Sequence, residues 1–236
     1  MAFLRDTSGP QPFLRAPAVV LWLILALVGA HALRVFEFPD LKWIAIYGFV
    51  PARYSSTYLA QYGANPGSFL DQALPFVTYI FLHGSWTHLA INCIWMLPFG
   101  PVVARRFGPL LFLVFFLVCG IAGAAAHLVC NWGSPAPVIG ASAAVSGLMA
   151  AAFRMLPPDR DSTRRPLEPI FSTRIIIWTV LWIVVNVIAG VTGLGTGGGV
   201  QLVAWQAHIG GYAAGLFLAG SVDMLARPRG PSPPQA

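Results

Sequence analysis

The chain has 236 residues, of which 57% are hydrophobic and only 9% are charged, and its formal net charge is +6. A water-soluble domain carries about 25% charged residues, so this composition excludes an ordinary soluble protein and indicates one that crosses a membrane. The net positive charge would suggest a nucleic-acid partner in a soluble protein, but here the arginines lie at the ends of apolar segments. We therefore interpret them as markers of membrane topology and expect no nucleic-acid partner.

The first apolar segment, residues 17–36, follows a short polar arm at residues 1–16. An Ala-His-Ala tripeptide at residues 30–32 resembles a signal-peptidase site, but because further spans follow, we predict that this first span is not cleaved. Residues 37–71 combine charged and aromatic side chains, which predicts a segment that lies on the membrane surface.

The remainder of the chain divides into five further spans. Residues 72–104 carry no charge and contain span 2, which ends at Arg105-Arg106. The next charge-free run is too long for one crossing, because a bilayer needs about 20 apolar residues per helix, and the Gly- and Pro-containing residues 131–137 break it in two. The predicted bounds are 109–130 for span 3, 140–156 for span 4, and 175–222 for spans 5 and 6, which residues 190–199 divide.

The positive charges predict the orientation of these spans. If the N-terminus is cytoplasmic, the outer segments hold only Arg34, Lys42 and Arg53 of the 14 lysines and arginines. This is the positive-inside pattern, so we predict that both termini are cytoplasmic and that spans 2, 4 and 6 run from the outer to the inner side. Residues 17–226 then form one domain, and residues 227–236 are a Pro-rich tail that we predict to be disordered.

Four polar residues are predicted to lie at one depth in the outer half of the membrane. His88 and Asn92 fall in the first half of span 2, and they share one helix face because they are four residues apart. Ser142 begins span 4, and His208 lies about two turns into span 6. Polar side chains in hydrocarbon are costly and usually face the protein interior, so we expect these four residues to form a site.

This set of residues fits nucleophilic catalysis. A serine at a helix start is commonly no more than an N-cap, but an imidazole within hydrogen-bond reach can make it a nucleophile. An imidazole N–H, an amide and the backbone N–H groups of a helix start could stabilise the oxyanion that forms. No acidic residue lies in the outer halves of spans 2, 4 and 6, so we predict a Ser/His dyad, and we do not expect Asp71, the nearest acid in sequence, to orient the base. Ser146 is a rival nucleophile by spacing, but it lies a turn deeper and lacks helix-start N–H groups.

Three segments resemble the signature motifs of the rhomboid family of intramembrane serine proteases. The resemblance covers residues 17–226 and implies an all-α, six-span, rhomboid-like bundle. It implies that Ser142 is the nucleophile and His208 its general base, with an oxyanion hole formed by His88, Asn92 and the Ser142 backbone N–H. The segments are Gly140-Ala-Ser142-Ala, His83-Gly-Ser-Trp-Thr-His88-Leu-Ala-Ile-Asn92 and Ala207-His208-Ile-Gly-Gly211-Tyr-Ala-Ala-Gly215.

The resemblance also implies the partners and the location. The substrates would be single-span membrane proteins within the lipid bilayer, cut near the outer end of their helix, and no cofactor is expected. By analogy with the family, the location would be a bacterial plasma membrane. His83, Gly140, Gly211 and Gly215 would have supporting roles, and the last two glycines allow helices to approach closely.

The sequence departs from the family pattern at three places. Ala143 replaces the glycine that usually follows the nucleophile, and its methyl group could crowd the helix packing. Ser146 stands where many relatives have an aromatic residue against which the histidine packs. Leu74-Pro75 lies near the place of a Trp-Arg pair that many members carry in the first loop, which puts the docking of that loop in the membrane in doubt.

Two other motifs are set aside. Residues 193–198 match Gly-x-Gly-x-x-Gly, but no strand precedes them, so we expect no nucleotide site. We interpret this segment as a flexible gate over the site or as a plain linker. His83, His88 and His208 lack a carboxylate partner and a His-Glu-x-x-His motif, so we expect no metal site.

Two other functions remain as alternatives. One is a rhomboid-like pseudoprotease that binds membrane clients without cutting them, against which the retention of Ser142 and His208 argues. The other is a small transporter, against which the absence of a visible inverted repeat and of a mid-membrane carboxylate argues.

Overall fold

The computed structural model describes residues 16–38, 42–155, 165–192 and 204–226, and in these residues the regular elements are helices. Two 3-10 turns, Pro51–Tyr54 and Tyr79–Phe81, accompany them. The α-helices are α1 (Ala18–Phe36), α2 (Lys42–Tyr47), α3 (Ser56–Tyr62), α4 (Phe69–Ala73), α5 (Pro75–Thr78), α6 (Trp86–Phe107), α7 (Pro109–Cys130), α8 (Ser142–Met155), α9 (Thr173–Thr192) and α10 (Trp205–Ala226).

Five of these helices, α1, α6, α7, α9 and α10, are long and apolar enough to cross a membrane. The chain is therefore an all-α, multi-pass integral membrane protein, as the sequence predicts. Helix α6, which forms span 2, begins only at Trp86, because the Ser85 side chain caps it by accepting a hydrogen bond from the His88 backbone N–H at 3.1 Å. Before it, residues 69–81 form short helical segments that Pro75 interrupts.

Helix α8 is the centre of the bundle. At 1.5 Å per residue, its 14 residues extend over about 21 Å, less than the long helices around it. Every residue from Ala143 to Met155 is buried, and α8 contacts α6, α7 and α10. The many alanines of α8 let three neighbouring helices approach it closely.

Glycines make the contact between α8 and α10 possible. A Cβ atom at Gly211 of α10 would overlap the backbone of Ala143, and one at Gly215 would overlap the backbone of Gly147. The two helices therefore touch backbone to backbone, which is the close approach that the small residues of spans 4 and 6 predict.

Buried arginines near the ends of α6 and α8 join these helices to α10. Arg106 Nε and Nη2 donate to the two carboxylate oxygens of Asp223 at 2.6 and 2.9 Å, a buried bidentate pair between α6 and α10. Arg154 Nη1 donates to the backbone oxygen of Leu216 at 2.7 Å, which joins α8 to α10. The ends of α6 and α8 thus both lie beside the second half of α10, so the three helices run in the same direction.

The connection between α1 and α6 lies across the other end of the bundle. Phe49 and Val138 exchange two backbone hydrogen bonds of 2.9 and 2.8 Å, and the Ala52 N–H donates to the Ser134 oxygen at 2.9 Å. These bonds fasten the first loop to the segment that leads into α8. That this loop lies on a membrane surface stays a prediction.

Several predicted features lie outside the described residues. These are the N-terminal arm up to residue 15, the loop arginines Arg160 and Arg164, the gate or linker at residues 193–198 and the tail from residue 227.

Candidate active site

A serine and a histidine meet where α8 and α10 begin. Ser142 is the first residue of α8, and His208 lies in the first turn of α10. Ser142 Oγ and His208 Nε2 are 2.7 Å apart, which is within hydrogen-bond distance. Both residues are partly buried, so the pair is enclosed by the bundle and still retains exposed surface.

The other ring nitrogen of His208 contacts a residue that the sequence analysis did not single out. His208 Nδ1 lies 2.7 Å from Asn186 Oδ1, and Asn186, on α9, is buried with 4% of its surface exposed. The amide nitrogen of Asn186 donates to the Trp182 backbone oxygen at 2.9 Å. The signal in the sequence for this residue is a lone amide in the charge-free, apolar span 5, since polar side chains in hydrocarbon usually face the protein interior.

Asp71, the acidic residue nearest to the motif in sequence, has another role. Its carboxylate accepts hydrogen bonds from Ser68 Oγ at 2.7 Å and from the Ser68 backbone N–H at 2.8 Å, forming a capping box at the start of α4. These two bonds hold the pKa of the Asp71 carboxyl below its ordinary value.

Gly140 brings His88 close to Ser142. Its φ of +121° is a conformation that residues other than glycine rarely adopt. A Cβ at this position would lie 2.8 Å from His88 Nε2 and 3.8 Å from Ser142 Oγ, so both of these atoms lie beside the same point of the backbone. The Gly140 N–H donates to the Tyr79 oxygen at 2.9 Å, which fixes the segment before α8.

The remaining predicted site residues lie near His88. Asn92 is buried, and its amide nitrogen donates to the His88 backbone oxygen at 2.9 Å, which uses one of its two donor hydrogens. His83 is fully buried, and its ring meets that of His88 edge to face with 5.1 Å between the ring centroids. His83 thus contacts a predicted oxyanion donor, while the Ser142–His208 hydrogen bond does not involve it.

The two departures from the family pattern in α8 have local explanations. The methyl group of Ala143 packs against Gly123 of α7, where a Cβ would clash with it. The absence of a side chain at Gly123 therefore leaves room for this methyl group. Ser146 Oγ donates to the Ser142 backbone oxygen at 2.7 Å and is buried with 3% of its surface exposed. Its hydroxyl is engaged within α8, in contrast to that of Ser142.

Among the residues that the structure describes, no group of three or more His, Cys, Asp or Glu side chains is placed to hold a metal ion. The polar side chains of the site carry a hydroxyl, imidazoles and amides, a set that can transfer protons and donate hydrogen bonds to an anion.

Fold and site together define a multi-pass helical membrane protein with a Ser–His pair inside its bundle. The family model described as Rhomboid domain matches residues 70–222. The chain therefore belongs to the rhomboid family, and the resemblance inferred from the motifs is confirmed.

Two relatives illustrate the range of the match. The chain is 31% identical over 168 residues to the rhomboid protease GluP of Bacillus subtilis (strain 168), a match over 70% of this chain and 30% of GluP. It is 28% identical over 218 residues to rhomboid-like protein 11, chloroplastic, of Arabidopsis thaliana, over 91% of this chain and 68% of that protein. The chain thus spans about a third of the length of GluP.

Proposed function

We propose that the protein is an intramembrane serine endopeptidase with a Ser142/His208 dyad. The observation that carries the proposal is the 2.7 Å contact between Ser142 Oγ and His208 Nε2 in a chain of the rhomboid family. Membership alone does not decide activity, because a pseudoprotease can share the fold. A nucleophile and a base in direct contact favour the catalytic reading.

The proposed reaction begins with attack of Ser142 Oγ on the carbonyl carbon of the scissile peptide bond. The hydroxyl proton passes to His208 Nε2 as the new C–O bond forms. When the C–N bond breaks, the same proton moves to the leaving amine and the acyl group stays on Ser142. Water then attacks the ester with His208 again as the base, which releases the carboxyl product and restores the hydroxyl.

Three donors are proposed to stabilise the oxyanion of each tetrahedral intermediate. The backbone N–H of Ser142 belongs to the first residue of α8 and has no partner one turn earlier within that helix. The imidazole of His88 lies beside Gly140, next to the nucleophile. Asn92 is proposed as the third donor, through the second N–H of its amide. One such donor typically contributes about 100- to 1,000-fold to the rate.

The proposed substrates are single-span membrane proteins. Helix α8 begins with Ser142 and is shorter than the helices around it, so a nucleophile at its start would lie below the outer surface of the membrane. A substrate helix must unwind locally to expose a peptide carbonyl there, which favours segments with small or helix-breaking residues.

The test is cleavage of a model single-span substrate in liposomes by the purified protein. We expect Ser142→Ala and His208→Ala to lower the rate at least about 1,000-fold, and we expect the wild type but not Ser142→Ala to be labelled by a fluorophosphonate. Ser146→Ala is the matched control, because it removes a hydroxyl from the same helix without touching His208.

The outcomes separate the alternatives. Loss of cleavage in Ser146→Ala, with cleavage retained in Ser142→Ala, would identify the other serine as the nucleophile. A wild type that neither cleaves several substrates nor reacts with the fluorophosphonate would favour a client-binding pseudoprotease.

A further inference from the structure

We propose that Asn186 is a positioning residue that holds the imidazole of His208 in the tautomer with its proton on Nδ1. The inference rests on the proposed dyad and extends it to a hydrogen-bonded chain of Ser142, His208 and Asn186, in which the third member is a neutral amide on α9. Asn186 touches neither Ser142 nor the expected place of the substrate carbonyl, so its effect acts through His208.

The orientation of the Asn186 amide follows from its two contacts. One end lies 2.9 Å from the Trp182 backbone oxygen, and a carbonyl oxygen can only accept a hydrogen bond. The amide nitrogen must therefore point to Trp182, which leaves Oδ1 facing His208 Nδ1 at 2.7 Å. The hydrogen-bond network thus decides between the two possible amide flips.

The tautomer of His208 follows in turn. An amide oxygen can only accept, so Nδ1 must carry the proton that this bond requires. A neutral imidazole carries one N–H, which places the lone pair on Nε2, directed at Ser142 Oγ at 2.7 Å. This is the state in which His208 can take the serine proton. The opposite tautomer would present an N–H to the hydroxyl and could not act as a base.

A neutral amide suits the position of this residue. Asn186 is buried in an apolar helix, and a carboxylate in such surroundings would be expensive to keep ionised. The amide accepts the same hydrogen bond at a lower cost. It lacks the negative charge that would stabilise an imidazolium, so its contribution is to the orientation and tautomer of the ring.

Asn186 lies on the face of α9 that packs against α10. One turn further along α9, a Cβ at Gly190 would overlap the Trp205 ring of α10, so this face of α9 packs closely against the start of α10. Two turns before Asn186, Thr179 Oγ1 and Tyr212 Oη are 2.9 Å apart. Asn186 lies between these two contacts, on the line where α9 meets α10.

The direct test is the tautomer of His208, read by 15N NMR of the purified full-length chain labelled selectively at histidine. His208→Ala serves only to assign the resonances. We expect the wild type to give the signature of protonated Nδ1 and unprotonated Nε2. In Asn186→Leu, which keeps a side chain of similar size without the acceptor, we expect the two tautomers to mix.

Two further variants separate positioning from packing. Thr179→Val removes another hydrogen bond between α9 and α10 without touching His208, so it is the matched control and should keep the wild-type tautomer and turnover. Asn186→Asp retains an acceptor for Nδ1 and should restore the Nδ1–H signature and more turnover than Asn186→Leu. Unfolding temperatures of all variants identify any that fail to fold.

Kinetics complete the test. We expect Asn186→Leu to lower kcat by roughly 10- to 100-fold with KM nearly unchanged, the range expected for one buried hydrogen bond and the ring orientation it fixes. The rate of fluorophosphonate labelling of Ser142 should fall in parallel. An Asn186→Leu protein with the wild-type tautomer, or with a changed tautomer and an unchanged labelling rate, would overturn the inference.

Failure of the proposed function has a different signature. A wild type without cleavage or fluorophosphonate labelling contradicts the proposed protease function. It also contradicts a catalytic role of Asn186, even where Asn186→Leu changes the tautomer of His208. A wild type that cleaves and is labelled, together with an indifferent Asn186→Leu, contradicts the positioning role alone.

Discussion

Helices α8 and α9 both contribute to the site, but they are built in opposite ways. In α8, 13 of 14 residues are buried, whereas in α9 only Ile175, Asn186 and Gly190 of 20 are. The proposed nucleophile Ser142 is thus carried by the most enclosed helix of the bundle, and Asn186, which contacts His208, by a helix at its edge. One half of the candidate site is fixed by the core, and the other depends on how a largely exposed helix packs against α10.

The difference follows from side-chain size. The alanines of α8 and its one glycine, Gly147, let neighbouring backbones approach, and the close contacts exclude lipid. Helix α9 is rich in isoleucine, valine and tryptophan, and large side chains such as Ile177, Val180 and Leu181 are half exposed. In a bilayer these exposed groups contact lipid tails that are as apolar as they are, so α9 needs little burial to be stable.

The largest effect is expected at the buried ion pair between α6 and α10. Asp223→Leu removes the carboxylate that accepts two hydrogen bonds from Arg106, and breaking such a pair costs about 3–5 kcal/mol because a buried charge loses its counter-charge. Denaturant unfolding in micelles should show this loss. The double variant Arg106→Met/Asp223→Leu should recover much of it, and a double variant as unstable as the single one would contradict the explanation.

The next effect tests the packing of α8. A Cβ at Gly147 would overlap Cys119 and the backbone of Gly211, while a Cβ at Gly29 of α1 would meet nothing within 4 Å. We expect Gly147→Ala to lower the free energy of unfolding by about 2–3 kcal/mol through overpacking. Gly29→Ala should be neutral or stabilising by up to about 1 kcal/mol, because alanine is the better helix former. Equal effects of the two substitutions would mean that α8 is less tightly enclosed than its contacts indicate.

The same contrast explains which parts of the fold could be predicted from the sequence. Charge-free runs and the breaks between them predict helices well, because each span must be apolar throughout to be stable in lipid. Span 3 was predicted over residues 109–130, which are the bounds of α7. Span 2 is less well bounded, since the charge-free run that begins at residue 72 includes the end of α4 and all of α5 before it reaches α6. Only the Ser85 cap marks where the long helix begins.

For the site, the motifs predict Ser142 and His208, and the structure brings these two residues into contact. Asn186 could not be found in the same way, because it belongs to no signature segment and its importance depends on contact with His208. That contact joins residues on different helices, and the sequence does not state how α9 rotates about its own axis. An acid is the usual partner that orients a catalytic histidine, which makes Asp71 the candidate from sequence. The residue that contacts His208 Nδ1 in the structure is instead an amide, Asn186.

A smaller effect is expected where α9 meets α10. Thr179→Val removes the 2.9 Å hydrogen bond to Tyr212 and keeps the shape of the side chain. We expect a loss of about 1 kcal/mol in the free energy of unfolding, the usual net contribution of one hydrogen bond. A double-mutant cycle with Tyr212→Phe measures this coupling. A coupling energy near zero would show that the contact between α9 and α10 rests on apolar packing alone.

The smallest effect is expected on the lipid-facing side of α9. Leu181 is 50% exposed, and truncating a leucine in a protein core costs about 2–5 kcal/mol, much of it from the cavity left behind. At Leu181, lipid tails can fill the space, so Leu181→Ala should change the free energy of unfolding by no more than about 0.5 kcal/mol. Unfolding in lipid nanodiscs provides the measurement. A loss near the core value would mean that this face of α9 packs against protein, and the difference in burial between α9 and α8 would then be smaller than the exposure of α9 indicates.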